Sequence, residues 1–293
     1  MSTIIPKITQ LSSRVIRVLG CNPGYFTLQG TNTYIVGTGK QRALIDCGEP
    51  GVPEYIETLK GVLKDRDISL SKIIITHWHP DHVGGTYEVL NNVTGKDCKV
   101  FKYKNTKNDP LYSELFELNY LNDEEEVELE GATMKMYLTP GHARDHLSIH
   151  LKEENTLFSG DCILGEGTVV FEDLLTYLKS LDKIKSLNSE KLYPGHGPVV
   201  DDPIAKVEEY VRKRMAREND ILAIMRKADS FLTTMEIAEG IYVGLPTSLM
   251  FGAEHNVRMH LEKLVKEDRI EAITIENVPK EKTHNITKYR LKH

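Results

Sequence analysis

The sequence predicts an α/β protein that carries a smaller α+β domain at its C-terminal end. Short apolar runs typical of strands alternate with amphipathic helical segments over residues 1–202. The chain changes character at Asp202-Pro203, after which three helical stripes and two strand-like runs follow. With 293 residues the chain is long enough for two domains, at about 100–200 residues each. We therefore expect one domain over residues 1–202 and a second over residues 203–293.

The first domain begins with strands joined by short turns. Residues 33–36 and 42–45 flank a Gly-Thr-Gly-Lys turn, which predicts a β-hairpin. Apolar residues at helical spacing over 53–63 predict an amphipathic helix. An isoleucine run at 73–75 predicts a buried strand, and a short helix is predicted over 83–90.

The remainder of the first domain repeats this alternation. An acidic stretch at 123–130 precedes a second block of strands. Residues 134–138 alternate in polarity, and residues 147–151 pair naturally with residues 156–158. A helix over 171–187 is predicted to follow.

The second domain has the order of a winged helix. Asp202 is a good N-cap and Pro203 suits the first helical position, so a long helix is expected to begin there. Residues 233–236 fit a capping box for a second helix, and apolar spacing over 257–265 predicts a third. Two strand-like runs close the domain, at residues 270–275 and 286–291. In this arrangement the third helix would be the recognition helix.

Composition excludes several classes of protein. Hydrophobic residues make up 40% and charged residues 27% of the chain, a mixture that rules out disordered, collagen-like and coiled-coil proteins. No stretch approaches the ~20 consecutive apolar residues of a membrane helix, so no membrane association is expected. The four cysteines form no Cys-x-x-Cys pair, which argues against a zinc ribbon or a disulfide framework.

The formal net charge of −6 is unevenly distributed. Residues 203–293 carry 16 basic and 14 acidic side chains, a net of +2, whereas residues 1–202 carry 21 basic and 29 acidic side chains, a net of −8. A protein that binds nucleic acid through bulk charge would be more basic than this, and no DNA partner is expected. Part of the acidic excess is expected to neutralise bound metal.

The N-terminal segment is poor in acidic residues. The first acidic residue is Asp46, and five basic residues precede it. Basic, acid-poor and serine-containing starts are typical of mitochondrial transit peptides, although residues 13–19 have the pattern of a strand. We expect a mitochondrial location, with the cytoplasm as the alternative.

The strongest chemical signal is the segment Thr-His-Trp-His-Pro-Asp-His at residues 76–82. Four metal-binding side chains lie within six residues, directly after an apolar strand: His77, His79, Asp81 and His82. A strand end that leads into a loop can turn several of these side chains inward together. Imidazole and carboxylate donors suit zinc, and in some sites iron or manganese.

Three further donors each follow a glycine, which lets the backbone turn sharply beside a metal. These donors are His142, Asp161 and His196. Seven donors are too many for one tetrahedral zinc and suit two ions. One ion is expected at His77, His79 and His142. The second is expected at Asp81, His82 and His196, with Asp161 as the bridge.

Other residues near these donors have supporting roles. Asp46 ends a strand and is expected to hydrogen-bond the ligand loop. Cys162 follows Asp161, but on an extended segment its side chain points the other way, so it is expected in the core. His146 and His150 are expected to be surface or hydrogen-bonded histidines, since seven donors already suffice.

The third helix carries two more histidines. His255 and His260 are expected to be exposed rather than bound to a metal. Apolar residues at positions 257, 261 and 264 should face the core, which would turn the basic side chains of Arg258, Lys263 and Lys266 towards solvent. This face is the candidate RNA-binding surface.

The donors follow a pattern that resembles a known family. The order His-x-His-x-Asp-His, Gly-His, Gly-Asp and Gly-His-Gly resembles the ligand pattern of the metallo-β-lactamase fold superfamily, over roughly residues 12–200. Three flanking segments are similar to the branch called β-lactamase-like protein 2: residues 29–34, 45–50 and 159–167.

The resemblance implies an αββα sandwich, two zinc ions, hydrolase chemistry and a C-terminal winged-helix-like domain. Members of the branch are implicated as endoribonucleases on single-stranded RNA in the mitochondrial matrix. Many relatives carry threonine after the third-motif histidine, where this chain has Ala143. The missing hydroxyl bears on ligand orientation rather than on metal binding.

The expected chemistry is hydrolysis. Two zinc ions that bridge a water would lower its pKa towards neutrality, and the resulting hydroxide would be the nucleophile. Asp81 can take or orient the proton of that water and is the candidate general base. No Ser-His-Asp arrangement, P-loop or dinucleotide fingerprint competes with this interpretation.

Three functions remain open at this point. Cleavage of single-stranded RNA is favoured by the resemblance and by the basic third helix. Hydrolysis of a thioester is the alternative, as in glyoxalase II relatives, which share the metal motifs. A winged-helix module that binds nucleic acid beside a vestigial metal domain is a third, although the complete donor set argues against it. Lactam hydrolysis is least expected. Single-stranded RNA is the expected partner, and the chain is compatible with a monomer or a homodimer.

Overall fold

The computed structural model describes residues 4–95, 97–228, 230–275 and 286–292. The chain divides into two compact units. The first comprises the chain up to Phe171 together with Thr176–Val207, and the second comprises Glu172–Leu175 and the chain from Glu208 onwards.

The first unit contains two sheets, of which the larger has seven strands in chain order. These strands are β1 (Ile8–Gln10), β2 (Val15–Leu19), β3 (Asn32–Val36), β4 (Gln41–Ile45), β5 (Ser69–Ile74), β6 (Lys99–Tyr103) and β7 (Leu118–Leu121). β1 to β4 pair antiparallel, and β4 to β7 pair parallel. The hairpin predicted between β3 and β4 is confirmed.

The second sheet has five strands in the order β12-β11-β10-β9-β8. They are β8 (Glu126–Leu129), β9 (Ala132–Leu138), β10 (Leu147–Leu151), β11 (Thr156–Gly160) and β12 (Lys191–Pro194). β11 and β12 are parallel, and the other neighbours are antiparallel. The predicted pairing of β10 with β11 is confirmed. β8 lies inside the acidic stretch, where Val127 is the buried residue of an otherwise charged strand.

Four α-helices belong to this part of the chain: α1 (Pro53–Asp65), α2 (Pro80–Val83), α3 (Thr86–Val89) and α4 (Leu174–Ser186). α1 and α4 match the predicted helices. The single helix expected over 83–90 is wrong, because α2 starts earlier, at Pro80, and is separate from α3. Pro80 suits the first turn of a helix, which places Asp81 and His82 on α2.

Two apolar layers hold the sandwich together. Between the sheets, Val15, Tyr34 and Ile45 of the first sheet pack with Met136 and Phe158 of the second. The outer face of the first sheet packs against five buried residues of α1: Tyr55, Ile56, Leu59, Val62 and Leu63. Alternate residues of β2 serve the two layers, since Val15 faces the second sheet and Ile16 faces α1. The predicted α/β sandwich is therefore confirmed.

The second unit contains three helices and a three-stranded sheet. The elements are α5 (Pro203–Lys227), β13 (Leu232–Thr233), α6 (Thr234–Ile241), α7 (Thr247–Lys266), β14 (Ile270–Ile275) and β15 (Ile286–Leu291), and the sheet order is β13-β15-β14. The amide of Ala205 donates to Asp202 Oδ1 at 2.9 Å, so Asp202 caps α5 as predicted. Thr233 and Glu236 form the predicted capping box of α6. Helix, helix, helix and hairpin is the order expected of a winged helix.

The face of α7 differs from the sequence expectation at Lys263. Val257, Leu261 and Leu264 are buried as expected, and Arg258 and Lys266 are exposed. Lys263 is only 5% exposed, because its ammonium lies 2.6 Å from the buried carboxylate of Glu218 on α5. The expectation that Lys263 faces solvent is therefore wrong.

The expectation that His260 is exposed is also wrong. Its side chain is fully buried, and neither ring nitrogen has a hydrogen-bond partner among the described residues. His255, one turn earlier, is half-buried and contacts Arg258 through Nδ1 at 2.8 Å. Spacing along α7 identified the face towards the core but did not reveal that α5 covers part of the opposite face.

No helix in the described part of the chain is both long enough and apolar enough to cross a membrane.

Candidate metal centre

The candidate metal centre lies where strands of both sheets end. Five supporting or donor residues each follow the carboxyl end of a different strand: Asp46 after β4, His77 after β5, His142 after β9, Asp161 after β11 and His196 after β12. Loops at the carboxyl ends of strands commonly form the binding crevice in α/β proteins. The sandwich thus brings together side chains that are far apart in sequence.

Three histidines form the first donor set. His77 Nε2 and His79 Nδ1 are 2.9 Å apart, and His142 Nε2 lies 3.2 Å from the former and 3.0 Å from the latter. His77 is fully buried, and His142 is nearly so. Three nitrogens thus form an almost equilateral triangle.

Asp81, His82 and His196 form the second donor set. Asp81 Oδ2 lies 3.3 Å from His82 Nε2 and 3.1 Å from His196 Nε2. The Asp81 side chain is 21% exposed, whereas the two imidazoles are essentially buried. Asp81 is therefore the donor of this set that solvent reaches.

Asp161 lies between the two sets. Its Oδ1 is 3.4 Å from His82 Nε2, and its Oδ2 is 3.4 Å from His196 Nε2 and 3.7 Å from His142 Nε2. One carboxylate therefore contacts donors of both sets. The structure brings together all seven residues proposed from the sequence.

The nitrogens that point away from the centre have partners of their own. His82 Nδ1 faces Asp46 Oδ2 at 2.7 Å, and His142 Nδ1 faces the Val170 carbonyl at 2.6 Å. His77 Nδ1 lies 3.0 Å from Thr76 Oγ1, which in turn donates to Asp46. These contacts place the proton on the outer nitrogen and leave the inner lone pair free, as in histidines that bind metals.

Asp46 is the support expected from the sequence. It is 1% exposed and adopts φ +59°, a left-handed conformation that aspartate tolerates better than most residues. Its Oδ1 accepts the Thr76 amide at 2.8 Å, and its Oδ2 accepts the Thr76 hydroxyl at the same distance. One carboxylate therefore fixes both the start of the ligand loop and the ring of His82.

The donor set fits divalent metal ions. His82 Nε2 and Asp161 Oδ1 are buried without a hydrogen-bond partner, although each has a lone pair aimed into the centre. Three inward imidazole nitrogens about 3 Å apart would repel one another without a cation, and donors of a tetrahedral zinc at ~2.0–2.1 Å are themselves only about 3.3 Å apart. Nitrogen and carboxylate donors without a thiolate suit zinc, iron or manganese.

Two glycines allow the donors to approach this closely. A Cβ on Gly195 would lie 2.2 Å from Asp161 Oδ1, and a Cβ on Gly160 would lie 2.6 Å from His146 Nε2. Gly160 also has φ +47°, which side chains other than that of glycine rarely adopt. Glycine is therefore required at both positions by close packing around Asp161.

The two donor sets have opposite electrostatic surroundings. Burial lowers the pKa of His77 well below its ordinary value and that of His79 to about 3, and the neighbouring histidines act in the same direction. Burial would also lower the pKa of His196, but Asp161 and Asp81 outweigh it and raise that pKa to about 9. The first set is thus neutral imidazole, and the second is rich in negative charge that attracts a cation.

His146 has a role that sequence reasoning left undefined. It is fully buried, accepts the Asp161 amide at Nε2 over 3.0 Å, and places Nδ1 2.9 Å from Thr139 Oγ1. It is hydrogen-bonded, one of the two outcomes expected, and it fixes the backbone of the central donor. A histidine four residues after His142 was the available signal.

Asn22 and Thr31 support the second donor set and were not identified from the sequence. Asn22 Oδ1 accepts the Thr31 amide at 2.9 Å, and Thr31 Oγ1 lies 3.4 Å from Asp81 Oδ2. Nothing in local spacing connects these residues to Asp81, which comes much later in the chain. Only the folded loop reveals the contact.

The remaining predicted residues lie outside the donor sets. His150 contacts Asn155 Oδ1 at 2.9 Å, and Cys162 is fully buried, in line with expectation. Ala143 is also fully buried, so a hydroxyl at this position would be enclosed by protein.

Comparisons with known proteins agree with this geometry. The metallo-β-lactamase superfamily model matches residues 26–196, and the β-lactamase-associated winged helix domain model matches residues 233–275. The chain therefore belongs to the metallo-β-lactamase superfamily, whose members are generally metal-dependent hydrolases that typically bind two metal ions.

Relatives of similar length carry a more particular name. A protein named Beta-lactamase-like protein 2 homolog from Caenorhabditis elegans is 46% identical over 270 residues, covering 92% of this chain and 90% of the relative. Its namesake from Drosophila melanogaster is 44% identical over 272 residues, covering 91% and 93%. The predicted branch is thereby confirmed.

A solved structure supports the fold. The crystal structure of a metallo-β-lactamase family protein from Thermus thermophilus matches with a TM-score of 0.73 at 21% identity, covering 97% of this chain and all of that one. At this identity the likeness establishes the architecture alone.

Proposed function

We propose that the protein is a two-zinc hydrolase that cleaves phosphodiester bonds of single-stranded RNA as an endoribonuclease. The observation that carries this proposal is the Asp161 carboxylate between two donor sets, with one oxygen 3.4 Å from His82 and the other 3.4 Å from His196. Paired metal sites recur in enzymes that break phosphodiester bonds.

Two divalent ions held by these donors would supply Lewis-acid activation of water and positive charge facing the scissile phosphate. The protein's own part is to hold the donors. Outer hydrogen bonds from Asp46, Thr76 and Val170 fix the imidazoles, so little reorganisation is needed when charge develops.

Asp81 is the proposed general base. Its Oδ2 faces both His82 and His196, and Thr31 Oγ1 lies 3.4 Å away on a third side. Its partial exposure leaves room for a water next to the carboxylate. Asp81 would take or orient the proton of that water as the phosphate is attacked.

RNA binding through α7 is a narrower proposal than the sequence suggested. Arg258 and Lys266 remain exposed, but Lys266 is paired with Asp173 and Lys263 is buried. The basic face therefore offers at most two phosphate contacts, which suits modest binding with little sequence preference.

Thioester hydrolysis is the second candidate, and one observation favours it. Val170, whose carbonyl bonds His142, has a side chain that is 51% exposed. An apolar side chain next to the first donor set would suit an acyl group better than a phosphate. A purely nucleic-acid-binding role is less well supported, because a vestigial site would not need to preserve seven converging donors with their outer hydrogen bonds.

The two hydrolase proposals are separated by one comparison of substrates. Zinc-loaded protein is assayed in parallel on single-stranded RNA, duplex RNA and an acyl-glutathione thioester. We expect internal cleavage of the single strand, with His79→Ala inactive. His150→Ala serves as the matched control, because His150 lies outside the donor sets, and it should match wild type. Fast thioester cleavage with intact RNA would replace the ribonuclease proposal by the thioesterase one.

We also propose a mitochondrial matrix location, with the cytoplasm as the alternative. The support is the basic, acid-free stretch before Asp46. Because Val15–Leu19 is a fully buried strand of the first sheet, import would have to leave these residues in place. Protease protection of the tagged chain in isolated mitochondria, before and after the inner membrane is opened, tests this proposal.

A further inference from the structure

Lys102 is a buried lysine close to the metal centre. It lies on β6, its side chain is 1% exposed, and its ammonium donates to the Tyr103 carbonyl at 2.7 Å. The same nitrogen lies 2.5 Å from Asp109 Oδ1 and 2.9 Å from Asp145 Oδ2. Lysine is almost never buried to this extent unless its charge is compensated.

The two carboxylates come from segments on either side of the first donor set. Asp145 belongs to the loop between β9 and β10, three residues after the donor His142. This loop also carries His146, which fixes the Asp161 amide. A displacement of Asp145 would therefore be felt at both His142 and Asp161.

Asp109 belongs to the segment that borders the opposite side. It begins the short 3₁₀ turn Asp109–Leu111, and its Oδ2 accepts the Asn105 amide at 2.7 Å. Tyr112 follows this turn, and its hydroxyl donates to the carbonyl of Trp78 at 3.4 Å. Trp78 lies between the donors His77 and His79, with its ring 4.7 Å from the ring of His79.

The charges of this cluster make Lys102 difficult to replace. The Asp145 side chain is completely buried, and its ion pair with Lys102 is the charge compensation that the structure gives it. Without the ammonium, two carboxylates would be left buried next to each other. Each would then draw water or move outwards, and the two segments would move with them.

We propose that Lys102 is a positioning residue of the metal centre, which holds the His142 loop and the Trp78–Tyr112 segment in register through Asp145 and Asp109. Partners one layer outside the donors commonly change metal affinity by about 10–100-fold when removed. The effect should be confined to the set of His77, His79 and His142, because the clamp borders that set. The inference rests on the proposed metal centre but not on RNA as the substrate.

The chain provides a site-specific optical probe. Trp78 is the single tryptophan and contacts His79, so its fluorescence should be quenched when Co²⁺ occupies the first donor set. The visible absorption of Co²⁺ reports total occupancy. Titrations of metal-free protein with Co²⁺ alone therefore give the affinity of the first set and the total stoichiometry separately, without any RNA.

Three variants are compared with wild type. Lys102→Met removes the ammonium, and Asp145→Asn removes one charge while keeping the side-chain shape. Lys152→Met is the matched control, because Lys152 forms an exposed ion pair with Glu126 in the same unit. Circular dichroism confirms that each variant is folded, and Asp145→Asn keeps the test valid if Lys102→Met does not fold.

We expect the Co²⁺ concentration for half-quenching of Trp78 to rise at least about 10-fold in Lys102→Met and several-fold in Asp145→Asn, with Lys152→Met within about twofold of wild type. Affinity for the second ion should stay near wild type. Unchanged quenching in both clamp variants, or an equal loss of both ions, would show that the cluster is merely structural and would overturn the proposal. Failure of wild type to cleave RNA would refute the proposed substrate but leave this result intact.

Discussion

Replacing Gly195 by alanine should disrupt the metal centre through one methyl group. The added Cβ would lie 2.2 Å from Asp161 Oδ1 and 2.9 Å from His82 Cε1. Real Cβ contacts essentially never fall below 3.0 Å, so the carboxylate must retreat by at least 0.8 Å. Metal–donor distances tolerate only about 0.2 Å, so Asp161 can no longer serve both donor sets.

The expected result is loss of metal with limited loss of stability. Metal content should fall from about two ions per chain to one or fewer, and activity should fall at least about 100-fold, as expected for a donor displaced by nearly 1 Å. Overpacking of this kind typically costs about 1–3 kcal/mol of the free energy of unfolding. Elemental analysis after dialysis and urea denaturation of metal-free protein measure the two effects.

Gly61→Ala is the matched control for this substitution. Gly61 lies inside α1, and nothing lies within 4 Å of the Cβ that would be added. Alanine in a helix interior should increase the free energy of unfolding by about 0.5–1 kcal/mol and leave metal content unchanged. Two bound ions in Gly195→Ala would refute the assignment of Asp161 to the centre of the site.

Three further predictions concern the second unit. Lys263→Met should lower the free energy of unfolding by about 3 kcal/mol, because it leaves the buried Glu218 carboxylate poorly compensated, whereas Lys266→Met at an exposed pair should cost less than about 1 kcal/mol; urea denaturation compares them. Burial, followed by the charge of Arg214, lowers the pKa of His260 to about 3. The unfolded chain therefore takes up a proton below pH ~6.5 that the folded chain refuses, so stability falls as pH drops from about 6.5 towards 3, and His260→Leu should show a shallower fall in urea midpoint than wild type. Arg258→Gln with Lys266→Gln should reduce the salt slope of RNA affinity by at most about 1.4, at about 0.7 per phosphate contact, with metal content unchanged; an unaltered slope would exclude this face from RNA binding.

The sequence was sufficient to predict the donors because each follows a strand. Apolar runs ending at Ile74 and Leu138 gave the strands, and the following His77 and His142 lie where strand ends meet. The capping box of Thr233 and Glu236 was equally readable, since both partners are local in sequence. Predictions of this kind depend on short-range chemistry.

Features that depend on long-range packing were not predictable in this way. Lys263 has the spacing of an outward residue, and only the neighbouring α5, with Glu218, makes its position buried. The close contact of Gly195 with Asp161 joins segments that are distant in sequence, as does the ion pair of Lys102 with Asp145. β8 was hidden because its residues other than Val127 are acidic or only partly buried.

The most direct test of the metal centre is anomalous diffraction from crystals of the zinc-loaded protein, recorded on both sides of the zinc absorption edge. The account predicts two peaks about 3.5–4 Å apart. One should lie among His77, His79 and His142, and the other among Asp81, His82 and His196, with the Asp161 carboxylate in contact with both. A single peak, or a second peak held by residues outside these seven, would contradict it.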